Sequence, residues 1–104
     1  MTQSGEFMKD IAQKIYTLLK MELRAQEVLV IDESHRHAGH AQALRSGKGH
    51  YIVTVVSDLF KGVKSVDRHR MIHKVLEKEF ATDIHALAIK AYSIDEYQFK
   101  DQNL

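Results

Sequence analysis

Histidine offers most of the chemistry that is available to this chain. The 104 residues include seven histidines and no cysteine. Disulfides are therefore excluded, and so is any zinc or iron–sulfur site held only by the chain's own thiolates. A metal bound here would take imidazole ligands, with carboxylates as helpers. The histidines are His35, His37, His40, His50, His69, His73 and His85.

Three of the histidines fall in one polar segment, residues 34–49, which reads SHRHAGHAQALRSGKG. The segment holds three of the five glycines and shows no apolar periodicity. We therefore expect a loop, and loops of this length are often functional. Two interpretations stay open. Either one or two of these histidines bind a shared ion or cofactor, or the loop is only polar and rich in histidine, which spacing alone favours.

His69 and His73 are four residues apart in a predicted helix, a spacing that can bind zinc. The segment that contains both, HRMIH, lacks the glutamate of an HExxH motif. His69 also lies in the middle of the apolar arc of that helix. This position favours a packed or hydrogen-bonded histidine in the core over a metal ligand.

His85 stands at the start of a predicted strand with the sequence IHALAIKAY. Alternation along the strand places His85 on the face that carries Leu87 and Ile89 into the core. At the first position of a strand the ring can pack against its neighbours and still present one nitrogen outward. Taken alone, a histidine in such a position is more often structural than functional.

A group of basic residues follows the second strand and continues along one side of the long predicted helix. Such a group is usually a solvated face, and contact with nucleic acid is the alternative. The chain has 15 basic and 14 acidic residues, a net charge of +1, which gives no global attraction to nucleic acid. Any such surface must therefore be a local patch. Its candidate residues are Lys61, Lys64, Arg68, Arg70 and Lys74.

The elements that must position these side chains follow the order α-β-β-α-α-β. Apolar residues at helical spacing predict the first helix, and β-branched alternation predicts the strands. The strand that begins at His50 is apolar on both faces, which indicates the centre of the sheet. The predicted elements are a helix from Phe7 to about Leu23, strands Glu27–Glu33 and His50–Ser57, a helical turn Ser57–Phe60 ended by Gly62, a helix capped by Ser65 that runs to about Phe80, and a strand Ile84–Tyr92.

Two details of these elements carry further predictions. Ser57 or Asp58 is expected to cap the helical turn. The long helix is expected to present a broad apolar face that includes Val66, His69 and His73. The residues from Asp95 to Leu104 lack a clear pattern and are predicted to form a loose or weakly helical tail.

We expect an α+β protein with a three-stranded mixed sheet and helices packed on one face. The crossover should make the second and third strands parallel, with a right-handed connection. Length predicts one domain, residues 1–104, with an ordered core of about 5–92 and a tail of 93–104. No apolar run is long enough to span a bilayer, and the N-terminus lacks the pattern of a secretory signal. A soluble, cytoplasmic protein is the default expectation, and no nucleophile–base pair suggests an enzyme.

Several segments, in the right order and spacing, resemble the BolA family. They are DES at residues 32–34 with a histidine just after, HYIVTVVSDLF at 50–60, Gly62, RHRMI at 68–72, and HALAIKA at 85–91. The resemblance covers most of the chain, from the first helix to Tyr92. It implies an αββααβ fold like that of the class II KH domain.

The resemblance also implies a partner, a monothiol glutaredoxin, with which the chain would share a [2Fe–2S] cluster in iron–sulfur cluster assembly, cluster transfer or iron signalling. Glutaredoxin and glutathione would supply thiols, and His85 is the implied ligand from this chain. The second ligand would come from the loop, where His37 by its offset from the DES segment and His40 by the GH pattern rank nearly equal, above His35. Neutral imidazole in place of thiolate makes such a cluster less anionic and raises its potential.

Other BolA proteins are described as DNA-binding transcriptional regulators linked to stress and cell morphology. A KH-like fold supports that function by analogy only. KH domains grip nucleic acid with a GxxG loop, and the corresponding turn here, KGVKS, has one glycine. A third possibility is a structural adaptor that binds glutaredoxin without a cluster. Alone, the chain is expected to be a monomer or a weak homodimer.

Overall fold

The computed structural model describes residues 10–34 and 48–102. One three-stranded sheet forms the centre of this structure, and helices from before, between and after its strands pack against it. The elements are α1 (Asp10–Glu22), β1 (Glu27–Asp32), β2 (Gly49–Val56), a 3-10 helix (Asp58–Phe60), α2 (Ser65–Val75), α3 (Glu77–Thr82), β3 (Ile84–Tyr92) and α4 (Ile94–Gln102). No described helix has both the length and the apolar character needed to cross a membrane.

Helix α1 forms because its apolar residues recur at helical spacing and bury one side. Ala12, Ile15 and Leu19 are buried in the core, and Leu23 follows at the end of the helix. Arg24 takes a left-handed backbone conformation, with φ of 48°, which turns the chain from α1 toward β1. The predicted amphipathic helix is confirmed here, and its predicted start at Phe7 lies outside the described residues.

The sheet has the order β1-β2-β3, with β1 antiparallel and β3 parallel to the central β2. Alternate residues of β2, Tyr51, Val53 and Val55, are buried against apolar side chains of α1 and α2. On the opposite face Leu29 and Ile31 are exposed. The predicted α+β arrangement, a three-stranded mixed sheet with helices on one face and a central second strand, is confirmed.

The connection from β2 to α2 is fixed by Ser57, which is completely buried. Its hydroxyl accepts a hydrogen bond from the Leu59 N–H at 3.1 Å and donates one to the Leu23 carbonyl at 2.7 Å. Ser57, one of the two predicted alternatives, is therefore the N-cap of the 3-10 helix. Gly62, with φ of 75°, supplies the left-handed residue that follows this helix.

Three details of the long predicted helix are wrong. Lys64, in an extended conformation, precedes the first helical residue, so Ser65 begins the helix and does not cap it. Val66 is 54% exposed and is not on the apolar face. The helix is also interrupted at Leu76, which leaves helical geometry and buries its side chain in the core between α2 and α3.

The tail, predicted to be loose or weakly helical, contains helix α4. Its first turn is held by a reciprocal pair of hydrogen bonds: the Ser93 N–H donates to Glu96 Oε1 at 3.0 Å, and the Glu96 N–H donates to Ser93 Oγ at 3.3 Å. This is a capping box, which satisfies two backbone donors at the start of a helix. Helix α4 therefore continues the described structure from Ile94 to Gln102.

Candidate functional site

Strand β3 begins with an irregular register that determines where His85 lies. Gly49 pairs with Ile84, but the next residue of β2, His50, pairs with Ala86, so His85 is an extra residue. Ile84 is 2% exposed and takes the core position, whereas His85 is exposed. Bulges of this kind often re-aim a side chain. The prediction that His85 leads the core face is wrong, because the extra residue shifts it out of the alternation.

The ring of His50 lies next to the ring of His85. The two ring centroids are 5.0 Å apart, and the rings are tilted by 45°. His50 is half-buried and lies near the start of β2. Sequence reasoning did not single out His50. The signal was available, because two parallel strands that both begin with a histidine must bring these histidines to the same end of the sheet.

The segment of residues 35–47 begins and ends at this same end of the sheet. The Glu33 N–H donates to the His50 carbonyl at 2.8 Å, and the His50 N–H donates to Ser34 Oγ at 3.1 Å. The chain therefore departs beside His50 and returns at Lys48, two positions before His50. The predicted ligands His37 and His40, and His35 beside them, lie outside the described residues, so their roles stay predictions.

The base of that segment is tightly packed. The Ser34 N–H donates to Asp32 Oδ1 at 2.8 Å, and Ser34 also hydrogen-bonds the Tyr51 side chain. A Cβ atom on Gly49 would lie 2.5 Å from Ser34 Oγ and 2.8 Å from the Tyr51 hydroxyl, so only glycine fits without displacement. Burial, followed by the negative charge of Asp32, raises the pKa of Tyr51, which keeps this phenol neutral.

The site offers imidazole nitrogen and no sulfur. Within residues 10–34 and 48–102, no three or more His, Asp or Glu side chains are grouped so that they could hold a metal ion together. His85 is exposed, and no side-chain hydrogen bond holds its ring among the described residues. An exposed imidazole of this kind fits the role of a single nitrogen ligand to zinc, copper or iron.

The other histidine pair has a different environment. His73 is exposed on α2, and its ring stacks on Phe80 with centroids 4.6 Å apart and an angle of 6° between the planes. His69 is half-buried. His73 therefore packs against α3 from outside the core, which corrects its predicted place on the apolar face. It contributes a surface packing contact between the two helices.

Arg68 does not belong to the predicted basic surface. It is 8% exposed, and its guanidinium donates to the Val63 carbonyl at 2.7 Å and the Ala91 carbonyl at 3.1 Å. It also forms a two-pronged pair with Glu96, at 2.6 and 3.0 Å. The hydrogen bond from Arg68 is the main cause that lowers the pKa of Glu96 to about 2. The prediction for Arg68 is wrong because the structure satisfies its charge internally.

The other four predicted basic residues are exposed: Lys61, Lys64, Arg70 and Lys74. Arg70 pairs with Asp67 at 2.9 Å, and Lys61 pairs with Asp95 at 3.7 Å. Exposed pairs of this kind contribute little to stability and hold their side chains weakly. The patch therefore keeps four positive charges, partly balanced by two neighbouring carboxylates.

Comparisons with known proteins show which family this chain is similar to. Residues 11–96 match the family model described as BolA-like protein. The DNA-binding transcriptional regulator BolA of Escherichia coli is 36% identical over 88 residues, which cover 85% of this chain and 80% of that protein.

Two solved structures show the same similarity in three dimensions. The BolA domain of SufE1 from Arabidopsis thaliana superposes with a TM-score of 0.74 at 35% identity, over 86% of this chain and 98% of that one. The solution structure of yeast Fra2 gives a TM-score of 0.56 at 25% identity, over 93% and 84% of the two chains. The sheet and the helices that cover it are therefore shared with these proteins.

Proposed function

The chain belongs to the BolA family, and from that premise we propose that it is a non-enzymatic partner of a monothiol glutaredoxin. The two proteins, with glutathione, share a [2Fe–2S] cluster in iron–sulfur cluster assembly, cluster transfer or iron signalling. The observation that carries the proposal is the bulge at the start of β3. It presents the His85 imidazole outside the sheet, 5.0 Å from the His50 ring and at the end where residues 35–47 begin and end.

The donor chemistry of the chain supports this function. The chain has no cysteine, so sulfur ligands to a cluster come from the glutaredoxin and from glutathione. His85 supplies one nitrogen, and His37 or His40 supplies a second, because both belong to the segment anchored beside His50. When bound, the cluster supplies iron, sulfide and a redox centre whose potential is raised by imidazole ligation.

In this proposal, the role of the chain's own residues is to hold and orient the ligand histidines. The extra residue in β3 fixes the position of His85, and the contacts among Ser34, Gly49 and Tyr51 fix the point at which the loop leaves the sheet. His50 borders the His85 ring and limits the directions that it can take. Orientation of a metal-binding imidazole by its surroundings is a general requirement for affinity.

The test is to co-purify the full chain with a monothiol glutaredoxin and glutathione under anaerobic conditions, and to record visible absorption and circular dichroism. We expect His85→Ala to abolish the spectral features of histidine ligation while the variant remains folded. His73→Ala is the matched control, since it removes an exposed histidine from another surface. Unchanged spectra in His85→Ala would contradict the assignment.

The loop ligand is tested in the same complex. Because one loop histidine completes the ligand set, His37→Ala and His40→Ala should have unequal effects on cluster content, and His35→Ala should have the smallest. Iron and sulfide analysis of each purified complex measures this difference. Three equal and negligible effects would show that no loop histidine is a ligand. A stable complex without visible absorption would instead support an adaptor that binds no cluster.

A DNA-binding regulator is the second candidate, favoured by the name of the Escherichia coli relative. It would use the exposed residues Lys61, Lys64, Arg70 and Lys74. Titration of a duplex at several salt concentrations tests it, because each phosphate contact adds to the salt dependence. Sequence-selective binding that is lost on joint replacement of Lys64, Arg70 and Lys74, and is kept in His85→Ala, would place this function first.

A further inference from the structure

A groove with a volume of about 570 Å³ opens among the helices. Its wall is apolar, with Leu18 from α1, Leu59 from the 3-10 helix, and Met71 and Val75 from α2. Leu59 is 45% exposed although it is a large apolar residue. None of the lining residues belongs to a strand, so the groove is separate from the histidine site at the end of the sheet. Its volume is within the usual range for binding pockets.

A glutamate that is mostly buried lines this groove. Glu79 of α3 is 8% exposed, and in the described part of the chain no hydrogen bond or ion pair reaches its side chain. Lys74 and Lys78 also line the groove, but neither forms an ion pair with Glu79. A carboxylate without a partner beside an apolar wall can accept charge-assisted hydrogen bonds from a bound cation. The groove therefore combines an apolar wall with an acceptor that lacks a donor.

The chemistry that matches this combination is a guanidinium next to apolar side chains. A guanidinium is weakly hydrated and donates two parallel N–H bonds to a carboxylate. Within this molecule, Arg68 makes that contact with Glu96 at 2.6 and 3.0 Å. We propose that the groove binds an arginine-bearing apolar segment of a protein partner, in which the arginine pairs with Glu79 and its apolar neighbours pack on Leu59, Met71 and Val75.

The test uses the full chain labelled with nitrogen-15 and a probe peptide, acetyl-Ala-Leu-Arg-Leu-Ala-amide, at up to millimolar concentration. We expect amide shifts at Leu59, Met71, Val75 and Glu79. Glu79→Gln should weaken binding by about tenfold, because it removes one charge-assisted pair. Glu77→Gln is the matched control, since Glu77 lines the same groove but is exposed, and its affinity should stay within about twofold.

A second arm leaves the protein unchanged and so does not depend on the folding of Glu79→Gln. Citrulline in place of arginine in the peptide removes the charge at nearly constant shape, and we expect a similar loss of affinity. Equal binding of both peptides, shifts confined to other surfaces, or no shift at all would overturn the proposal. Two other results would also overturn it. If arginine amide alone binds as tightly as the peptide, the groove is a site for a small cation. If the groove shifts depend on protein concentration without peptide, its occupant is a second copy of the chain.

Discussion

The two ends of β3 differ in whether the polar side chain beside them is hydrogen-bonded. At the start, His85 is moved out of the core by an extra residue, and its ring is held by no side-chain hydrogen bond among the described residues. At the other end, the Ala91 carbonyl receives one of four hydrogen bonds from a buried Arg68. Groups that are satisfied inside a protein stabilise it, whereas exposed groups with open bonding capacity remain available to a partner. We therefore propose that the Arg68 end contributes to stability and the His85 end to function.

Arg68→Ala should give the largest loss of stability in this comparison. It removes the side-chain donor to the Val63 carbonyl and two of the three hydrogen bonds to the Glu96 carboxylate, and we expect a destabilisation of about 2–3 kcal/mol. Urea denaturation followed by circular dichroism measures it. Arg70→Ala is the control, because its pair with Asp67 is exposed and should contribute less than about 0.5 kcal/mol. Similar midpoints for both variants would remove the distinction between the two arginines.

Gly49→Ala tests the packing at the start of β2, close to the His85 end. The added methyl group would lie 2.5 Å from Ser34 Oγ, so the base of the loop must shift, at a cost of about 1–2 kcal/mol. Thermal unfolding measures the loss. Gly62→Ala is a useful comparison, since it meets no atom within 4 Å and its cost comes only from a φ of 75°. Full stability of Gly49→Ala would contradict the tight base described above.

The pair at the Arg68 end should also produce a pH dependence. The pKa of Glu96 is about 2 in the folded protein against an ordinary 4.5, so the ionised carboxylate stabilises the fold above pH 4.5, and this contribution is lost as the pH falls toward 2. Since half of the Glu96 side chain is exposed, solvent screening limits the contribution to about 1 kcal/mol.

Urea unfolding at pH 5 and at pH 2.5 measures the effect as a difference between two proteins. Glu96→Gln should lose less stability than the wild type across this interval, because it has no carboxyl group to protonate there. Glu77→Gln, an exposed residue, is the control for the titration of the other carboxylates. Identical pH dependence in the wild type and in Glu96→Gln would show that the pair is not formed in solution.

His85→Ala should have the smallest effect on stability, within about 0.5 kcal/mol, because the side chain is exposed and lies outside the regular alternation of β3. The same urea experiment measures it. A destabilisation as large as that of Arg68→Ala would show that the His85 ring has a structural role. That result would remove the reason for assigning function to this end of the strand.

Local periodicity was sufficient for most of the fold. The apolar spacing of α1 and the two apolar faces of β2 predicted the core helix and the central strand, because both patterns repeat over several residues. The bulge could not be predicted in this way, since HALAI alternates without interruption and only the pairing with Gly49 and His50 shows the extra residue.

The error at Arg68 and the open prediction for the tail have different causes. Arg68 stands next to His69 and Arg70, and its neighbours in sequence indicate a basic helix face. Its partner Glu96 is 28 positions away, so the burial of Arg68 depends on a contact that local spacing does not encode. The capping box was visible in the sequence as Ser93-Ile94-Asp95-Glu96, a start signal for a helix in a segment that was expected to be loose or weakly helical.

The anchoring of Ser34 beside His50 has a consequence for how this protein can change over evolutionary time. The segment of residues 35–47 begins and ends at neighbouring points on the sheet, so residues can be inserted or deleted there without altering the register of β1 and β2. Loop closure becomes only about 0.6 kcal/mol more costly for each doubling of length. Selection can therefore vary the reach and the histidine content of this segment while the sheet that presents His85 stays the same.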